Sequence, residues 1–338
     1  MRSAKLIDIG KIEVVDVPAP VISRDTDVLV EVRAVGICGT DLHIFREGRA
    51  DVQLPRVMGH ELSGVVKETG SAVSRLEVGD RVVLDPVFAC GSCATCQKGY
   101  PNICNHVRCF GVQMDGGYQD YIVVDESRLH AFDSSISYET AALAEPFSIA
   151  ANILERTYLA AGETLLVIGS GTIGLAVAQA AKALGARVMV ADIVSKKLQL
   201  AAEMGVDCTV NSREASIAQA AELFAPGGFE VIVDAVGITP LFMQALELAA
   251  PRTRIACIGF DSRPAEIPLA AITKKELSII GSRMNCNRFP VVVDWLNSGR
   301  IAADKMISKK YNILDIQRAF EETLADGEGS VKTLILFD

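Results

Sequence analysis

Residues 164–192 read TLLVIGSGTIGLAVAQAAKALGARVMVAD, and this stretch decides the fold. It opens on TLLVI, a short uncharged run suited to a strand buried on both faces. Residues 173–184 are small, apolar and rich in Ala, which predicts a helix. Residues 187–191 predict a second strand, with Asp192 at its end. Between the first strand and the helix, Gly169, Gly171 and Gly174 stand at the spacing G-x-G-x-x-G. Alone, that spacing says little. Here it follows a strand, opens a helix and precedes an acid about 20 residues on, which is the setting of a dinucleotide loop.

Each residue of the loop then has a task. Gly169 permits the tight turn, Gly171 lets the backbone approach a pyrophosphate, and Gly174 allows close contact of helix and strand. The helix start at Thr172 faces the phosphates. Asp192 accepts hydrogen bonds from the ribose hydroxyls of NAD and repels the 2′-phosphate of NADP. Lys196 and Lys197 leave room for NADP. The competing readings are a glycine turn without a ligand and an Asp192 that is a plain surface acid.

Downstream, the alternation continues. Residues 195–204 and 241–250 predict helices, and 231–233 and 254–258 predict strands. This βαβ rhythm calls for an α/β fold with a doubly wound parallel sheet. It ends near Phe289, after which 291–297 and 316–324 predict helices and 331–337 a last strand. With no repeat and no low-complexity linker, the tail is expected to return to the first domain. Upstream, 27–35, 62–68, 80–84 and 117–124 are short strand candidates with glycines between them, which suggests a barrel or sandwich. Residues 137–159 predict a helix, with Pro146 as a break or kink.

Composition narrows the function. At roughly 150 residues per domain, 338 residues suggest two domains. Half the residues are hydrophobic, and the formal net charge is -9. So acidic a chain, with no Lys/Arg cluster, has no evident grip on nucleic acid or anionic membrane. Residues 1–17 lack the apolar core and cleavage site of a signal peptide, and no apolar run reaches membrane length. A cytoplasmic location is the default expectation.

Five of the nine cysteines fall between Cys90 and Cys109, which favours a metal over disulfides in a chain this long. Cys90, Cys93, Cys96 and Cys104 form C-x2-C-x2-C-x7-C. Four thiolates so close can surround one tetrahedral zinc ion with ligands about 2.3 Å away. Gly91, Gly99 and Pro101 supply the turns. Poor in apolar residues, the segment has little to bury; a structural zinc would supply roughly 10 kcal/mol of ordering. Buried free thiols and an iron–sulfur cluster are the alternatives. Cys109 breaks the spacing and stands outside the set.

A second constellation is dispersed. Cys38 lies in GICGTDLH (36–43), His60 and Glu61 in GHE (59–61), and Glu145 in LAEP (143–146). Thiolate, imidazole and carboxylate make the mixed ligand set of a catalytic zinc, which keeps one place open. Alone, any of these would be a core residue, yet two of only four histidines in the chain, His43 and His60, sit in these motifs. Thr40 and His43 follow Cys38 as C-x-T-x-x-H, a hydroxyl and an imidazole suited to moving a proton to solvent.

Taken in order, GICGTDLH, GHE, the four-cysteine lobe, DGGYQDYIVV (115–124), LAEP, GSGTIG (169–174) and GSR (281–283) resemble the zinc-dependent medium-chain alcohol dehydrogenases over essentially the whole chain. The resemblance implies a GroES-like β-barrel catalytic domain over 1–148, with a zinc lobe at 88–106. It implies an inserted Rossmann domain over 149–288 and a return to the catalytic domain over 289–338. It further implies that Cys38, His60 and Glu145 hold the catalytic zinc, Glu145 directly or through water, with Glu61 either standing behind the ligands or acting as an alternate ligand that moves as the metal shifts. Thr40 and His43 match the proton relay. Ile173, Asp192, Lys197, Ile258, Gly259, Phe260 and Ser282 match cofactor contacts. Glu145 in place of a cysteine looks like the polyol and sugar-acid branch. EPFSIAAN (145–152) and SRMNCNRFPVVVDWL (282–296) look like the starvation-sensing subgroup, grouped with L-gulonate and L-galactonate 5-dehydrogenases. That subgroup implies two zinc ions, NAD, a small-molecule substrate and a homo-oligomer, dimer or tetramer. Arg283, and less strongly Arg56, would grip a substrate carboxylate, with a cofactor or interdomain contact as the equal alternative for Arg283. Threonine or neutral polyol oxidation is the nearest alternative; a zinc- and NAD-binding regulator without catalysis is the alternative of another class.

Overall fold

In the computed structural model, which describes residues 1–259, 264, 266–327 and 329–338, Thr164–Ile168 forms a strand buried at every position. It lies between two parallel neighbours, Arg187–Asp192 and Phe229–Asp234. The sheet runs in the order Cys208–Asn211, Arg187–Asp192, Thr164–Ile168, Phe229–Asp234, Ala249–Cys257 and Ser278–Gly281, with every pair parallel. In chain order this is 3-2-1-4-5-6, the doubly wound arrangement. The order reverses at Thr164–Ile168, and the glycine loop leaves the carboxyl end of that strand. The helix Thr172–Ala183 buries Gly174, Ala176, Ala178 and Ala181, whose small volumes let it lie close to its neighbours.

This sheet belongs to one of two units, Ile149–Met284 with Arg300–Lys305. The other comprises Met1–Ser148, Asn285–Gly299 and Met306–Asp338. The first division falls inside the helix Ala144–Arg156, between Ser148 and Ile149. The chain re-enters the first unit at Asn285 and leaves it again for the six residues Arg300–Lys305, a crossing that no sequence pattern announces.

The other unit is built on Asp27–Gly36. Val28, Val30, Val32 and Ala34 are no more than 1% exposed, while Glu31 and Arg33 point the other way and pair at 2.7 Å. That period of two is the strand signal of the sequence. Glu61–Thr69, Tyr121–Asp125 and Lys332–Leu336 all pair antiparallel with it. Arg81–Leu84, Leu129–Ala131 and Ile307–Asn312 extend the sheet to seven strands. The last residues of the chain thus complete the sheet that its first third begins. The N-terminus adds a hairpin, Arg2–Asp8 with Lys11–Asp16.

One expectation needs correction. Pro146 neither breaks nor kinks a helix. The break comes earlier, at Leu143, between the helices Tyr138–Ala142 and Ala144–Arg156. Pro146 is the third residue of the second helix, where its missing N–H costs no intrahelical bond. It helps to start the helix that carries Glu145.

His130 makes this unit sensitive to acid. Its ring stacks on Phe289, with centroids 5.4 Å apart. Burial, with Arg75 and Arg128 nearby, holds its pKa down at about 4 against an ordinary 6.5. The folded protein therefore disfavours the charged imidazole. The stability that neutral His130 contributes is complete above pH 6.5 and falls as the pH drops from 6.5 toward 4. The full loss is up to about 3 kcal/mol. His130→Phe is expected to flatten this fall. Thermal denaturation of both chains at pH 7 and pH 4.5 checks it, since their difference isolates His130 from other acid effects.

Candidate active site

Two groups of metal-ligating side chains stand out among the described residues, and both lie in the unit of the seven-stranded sheet. The first is Cys90, Cys93, Cys96 and Cys104. The Sγ separations are 4.0 Å for Cys90–Cys96, 3.5 Å for Cys93–Cys96, 3.8 Å for Cys93–Cys104 and 3.5 Å for Cys90–Cys104. A tetrahedron with about 2.3 Å metal–sulfur bonds has edges of about 3.8 Å, so the four sulfurs fit one zinc ion. They are too far apart for disulfides and too close to surround the body of an iron–sulfur cluster. Backbone N–H groups already turn toward the sulfurs: Cys93 N donates to Cys90 Sγ at 3.4 Å and His106 N to Cys104 Sγ at 3.3 Å. The Ser92 and Cys93 backbone N–H groups lower the Cys90 thiol to about 6, favouring the thiolate a metal needs.

The second group is Cys38, His60 and Glu61, whose ligand atoms all lie within 4.8 Å of one another. Strand pairing brings them together. Gly36, the last residue of one strand, sits opposite Glu61, the first of the next. Cys38 then caps the helix Gly39–Glu47, and His60 precedes Glu61, so both side chains gather at the same end of the sheet. His60 is 5% and Glu61 2% exposed. Glu145 stands outside the tight group. It is also buried, in the first turn of Ala144–Arg156. Burial pushes its carboxyl up to about 7, with His60 opposing and Glu61 adding to the rise.

Behind His60 lies Asp41. Its Oδ2 accepts hydrogen bonds from Cys38 N at 3.0 Å and Tyr118 Oη at 3.1 Å. Its Oδ1 and His60 Nδ1 are both buried without a hydrogen-bond partner, and they face each other at 3.6 Å. A small approach satisfies both. It fixes Nδ1 as a donor to Asp41 and leaves Nε2 for a metal, the usual orientation of a metal-bound histidine.

Thr40 and His43 are three residues apart on the helix that Cys38 caps, hence on one face. Thr40 is half-buried and His43 reaches the surface, where its Nδ1 lies 3.4 Å from Glu47. Arg56 is committed to Asp115, at 2.9 Å. Arg283 is exposed, in the other unit. Cys109 joins neither metal group, and burial holds its thiol up at about 12, hence protonated.

In the other unit, Gly169 has φ +98°, and a Cβ at Gly174 would stand 1.8 Å from Gly169 O. Both positions require glycine. Gly171 caps the helix and faces open space, with nothing within 4 Å of a Cβ there. Asp192 is not idle in that loop. Its Oδ2 accepts from Ser170 N at 2.5 Å and Ser170 Oγ at 2.7 Å, and its Oδ1 from Ile193 N and Val194 N. Burial works against its charge, but the Ser170 donors outweigh it and lower the carboxyl below its ordinary value. Lys197 is in the first turn of the helix Ser195–Glu203, with its N–H on Val194 O. Ile258 N donates to Asp234 O at 3.4 Å, Gly259 packs on Gly237, and Ser282 Oγ accepts from Asn152 Nδ2 at 3.1 Å. Phe260 lies outside the described residues.

The alcohol dehydrogenase GroES-like domain family matches residues 24–134, and the zinc-binding dehydrogenase family matches residues 172–298. The chain belongs to the zinc-dependent medium-chain alcohol dehydrogenases. Within them it falls in the polyol and sugar-acid branch, as an oxidoreductase acting on alcohols. It is 33% identical to the 2-dehydro-3-deoxy-L-galactonate 5-dehydrogenase of Pseudoalteromonas atlantica, covering 91% of each chain. It is 32% identical to the sorbitol dehydrogenase of Bacillus subtilis, over 99% of this chain and 97% of that one. The alcohol dehydrogenase rspB of Escherichia coli CFT073, solved with NADH, superposes with a TM-score of 0.94 at 34% identity, covering 100% of this chain and 99% of that one.

Three residues of this dehydrogenase site carried no weight in the sequence. Asp41 and Tyr118 stand in quoted motifs, GICGTDLH and DGGYQDYIVV, and a carboxylate three residues after Cys38 was a usable signal. Lys332 had none. It lies 271 residues from Glu61, yet its Nζ sits 2.6 Å from that carboxylate.

Proposed function

We propose that this dehydrogenase oxidises a secondary alcohol of a sugar acid or polyol, such as L-gulonate or L-galactonate, with NAD as acceptor. The observation that carries the reading is the gathering of Cys38, His60 and Glu61 at one strand end, with Asp41 behind His60. Thiolate, imidazole and carboxylate suit zinc and leave room for a substrate oxygen. When bound, zinc lowers the pKa of a hydroxyl and NAD takes the hydride of the adjacent carbon. Cys38 and His60 hold the ion, and Glu145 completes the set directly or through water. Thr40 accepts the hydroxyl proton and His43, at the surface, releases it to solvent. Cys90, Cys93, Cys96 and Cys104 hold a second ion that orders their lobe.

The pyrophosphate of NAD meets Gly169, Gly171, Gly174 and the helix start at Thr172. Ile173, Lys197, Ile258, Gly259 and Ser282 complete the cofactor contacts. Asp192 selects NAD by accepting from its ribose, and must turn from Ser170 to do so. Asp192→Ala is expected to raise kcat/KM for NADP and lower it for NAD, each by roughly tenfold or more, the worth of hydrogen bonds to a charged group. Steady-state kinetics with both cofactors checks this.

Arg283 is the residue proposed to grip the carboxylate of an acid substrate. The sorbitol dehydrogenase relative supports a neutral polyol as second reading. A homo-oligomer, dimer or tetramer, in the cytoplasm completes the proposal. No helix among the described residues is long and apolar enough to cross a membrane. The deciding experiment is a screen of NAD reduction over sugar acids, polyols and amino alcohols including L-threonine. Sugar acids are expected to lead. Preference for L-threonine, or turnover with none of these, would contradict the reading.

A further inference from the structure

Lys332 and Glu61 form a buried ion pair beside the metal group, and no step described above uses Lys332. Its Nζ donates to the two Glu61 oxygens at 2.7 and 2.6 Å and to Ile37 O at 3.0 Å. All three ammonium protons are thereby engaged. Both side chains are 2% exposed, so each charge depends on the other for its solvation. The fold reserves the space as well: a Cβ at Gly36 would stand 2.0 Å from Glu61 Oε2. Yet the same carboxylate offers an oxygen within 4.8 Å of the Cys38 and His60 ligand atoms. Two cations therefore compete for Glu61, the ammonium and an ion held by Cys38 and His60.

We propose that Lys332 is a positioning residue that holds Glu61 off the metal, so that a coordination place stays open for the substrate oxygen. The proposal rests on the catalytic-zinc reading given above. Without the ammonium, Glu61 is a buried carboxylate lacking its counter-charge, and the zinc ion is the cation within reach. The carboxylate then joins the metal and occupies the place the substrate needs. Zinc retention and turnover thus move in opposite directions. Loss of a residue that merely supports the fold would lower both.

The test compares wild type, Lys332→Met, and Lys332→Met combined with Glu61→Gln, each purified with its zinc. Zinc release to 4-(2-pyridylazo)resorcinol is followed in time, and the catalytic phase is the one absent from His60→Ala. Lys332→Met is expected to slow that phase roughly tenfold or more and to lower kcat/KM roughly a hundredfold, the range of changes made beside metal ligands. Adding Glu61→Gln is expected to abolish the slowing. Should Lys332→Met not fold, Lys332→Gln, one bond shorter, keeps an uncharged donor on the Glu61 side, and shifts both readouts the same way by smaller factors. Release from either variant at or above the wild-type rate overturns the proposal. A wild type with no His60-dependent phase instead overturns the zinc reading, and this proposal with it.

Discussion

His60→Ala is expected to lose roughly ten-thousand-fold or more in kcat/KM while NADH binding survives. For water, coordination to zinc lowers the pKa from about 15.7 to about 7, a change worth roughly 12 kcal/mol. An alcohol stripped of that help at neutral pH keeps its proton, and the hydride has no alkoxide to leave from. His60 is the imidazole of the group, and its ring is buried and backed by Asp41 at 3.6 Å. Alanine removes the ligand and leaves Asp41 buried without its partner. The Gly169–Gly174 loop belongs to the other unit, so NADH fluorescence titration should give an unchanged Kd. A variant that keeps full turnover would sink the assignment of a zinc at His60.

Cys104→Ser should have the largest effect on stability. Cys104 is the buried member of the lobe, 3% exposed, and its sulfur sits 3.5 Å from Cys90 and 3.8 Å from Cys93. A hydroxyl is a poor zinc ligand, so one of the four corners of the sulfur tetrahedron is lost and the ion leaves. What remains is a segment with few buried side chains: Cys90, Ser92, Tyr100 and Ile103 are exposed. With nothing apolar to hold it, the lobe is expected to open to limited proteolysis near residues 90–104, and Tm to fall by roughly 10 °C or more. Unchanged Tm and proteolysis would show that the lobe orders itself without metal.

The parts of this molecule that were legible in its sequence are those whose signal is local. TLLVI and the glycine spacing after it lie within a single turn of chain, and the sheet order follows from repeating that unit. The four cysteines are likewise one segment, so spacing alone carried the metal geometry later seen in the 3.5–4.0 Å sulfur separations. The strand Ser278–Gly281 carries no such signal, because four residues at a sheet edge, three of them exposed, show neither period. Ile307–Asn312 was missed for a similar reason, its lysines masking a short alternation. Pro146 misled because a proline inside an apolar periodic stretch reads as a break, whereas here it opens a helix.

In the site, legibility failed where partners are distant in sequence. Lys332 meets Glu61 only because the last strand pairs beside Asp27–Gly36. Asp192 looked ready for a ribose, and its bonds to Ser170 appear only once the loop is folded. Sequence placed Glu145 and, as an alternate, Glu61 with Cys38 and His60, and Glu61 is the carboxylate in the tight group.

The most direct measurement is the zinc content of the purified chain by elemental analysis, beside that of His60→Ala. The account predicts two zinc ions per wild-type chain and one in His60→Ala, with the remaining ion lost when Cys104→Ser is added. One zinc per wild-type chain, unchanged by His60→Ala, would contradict it.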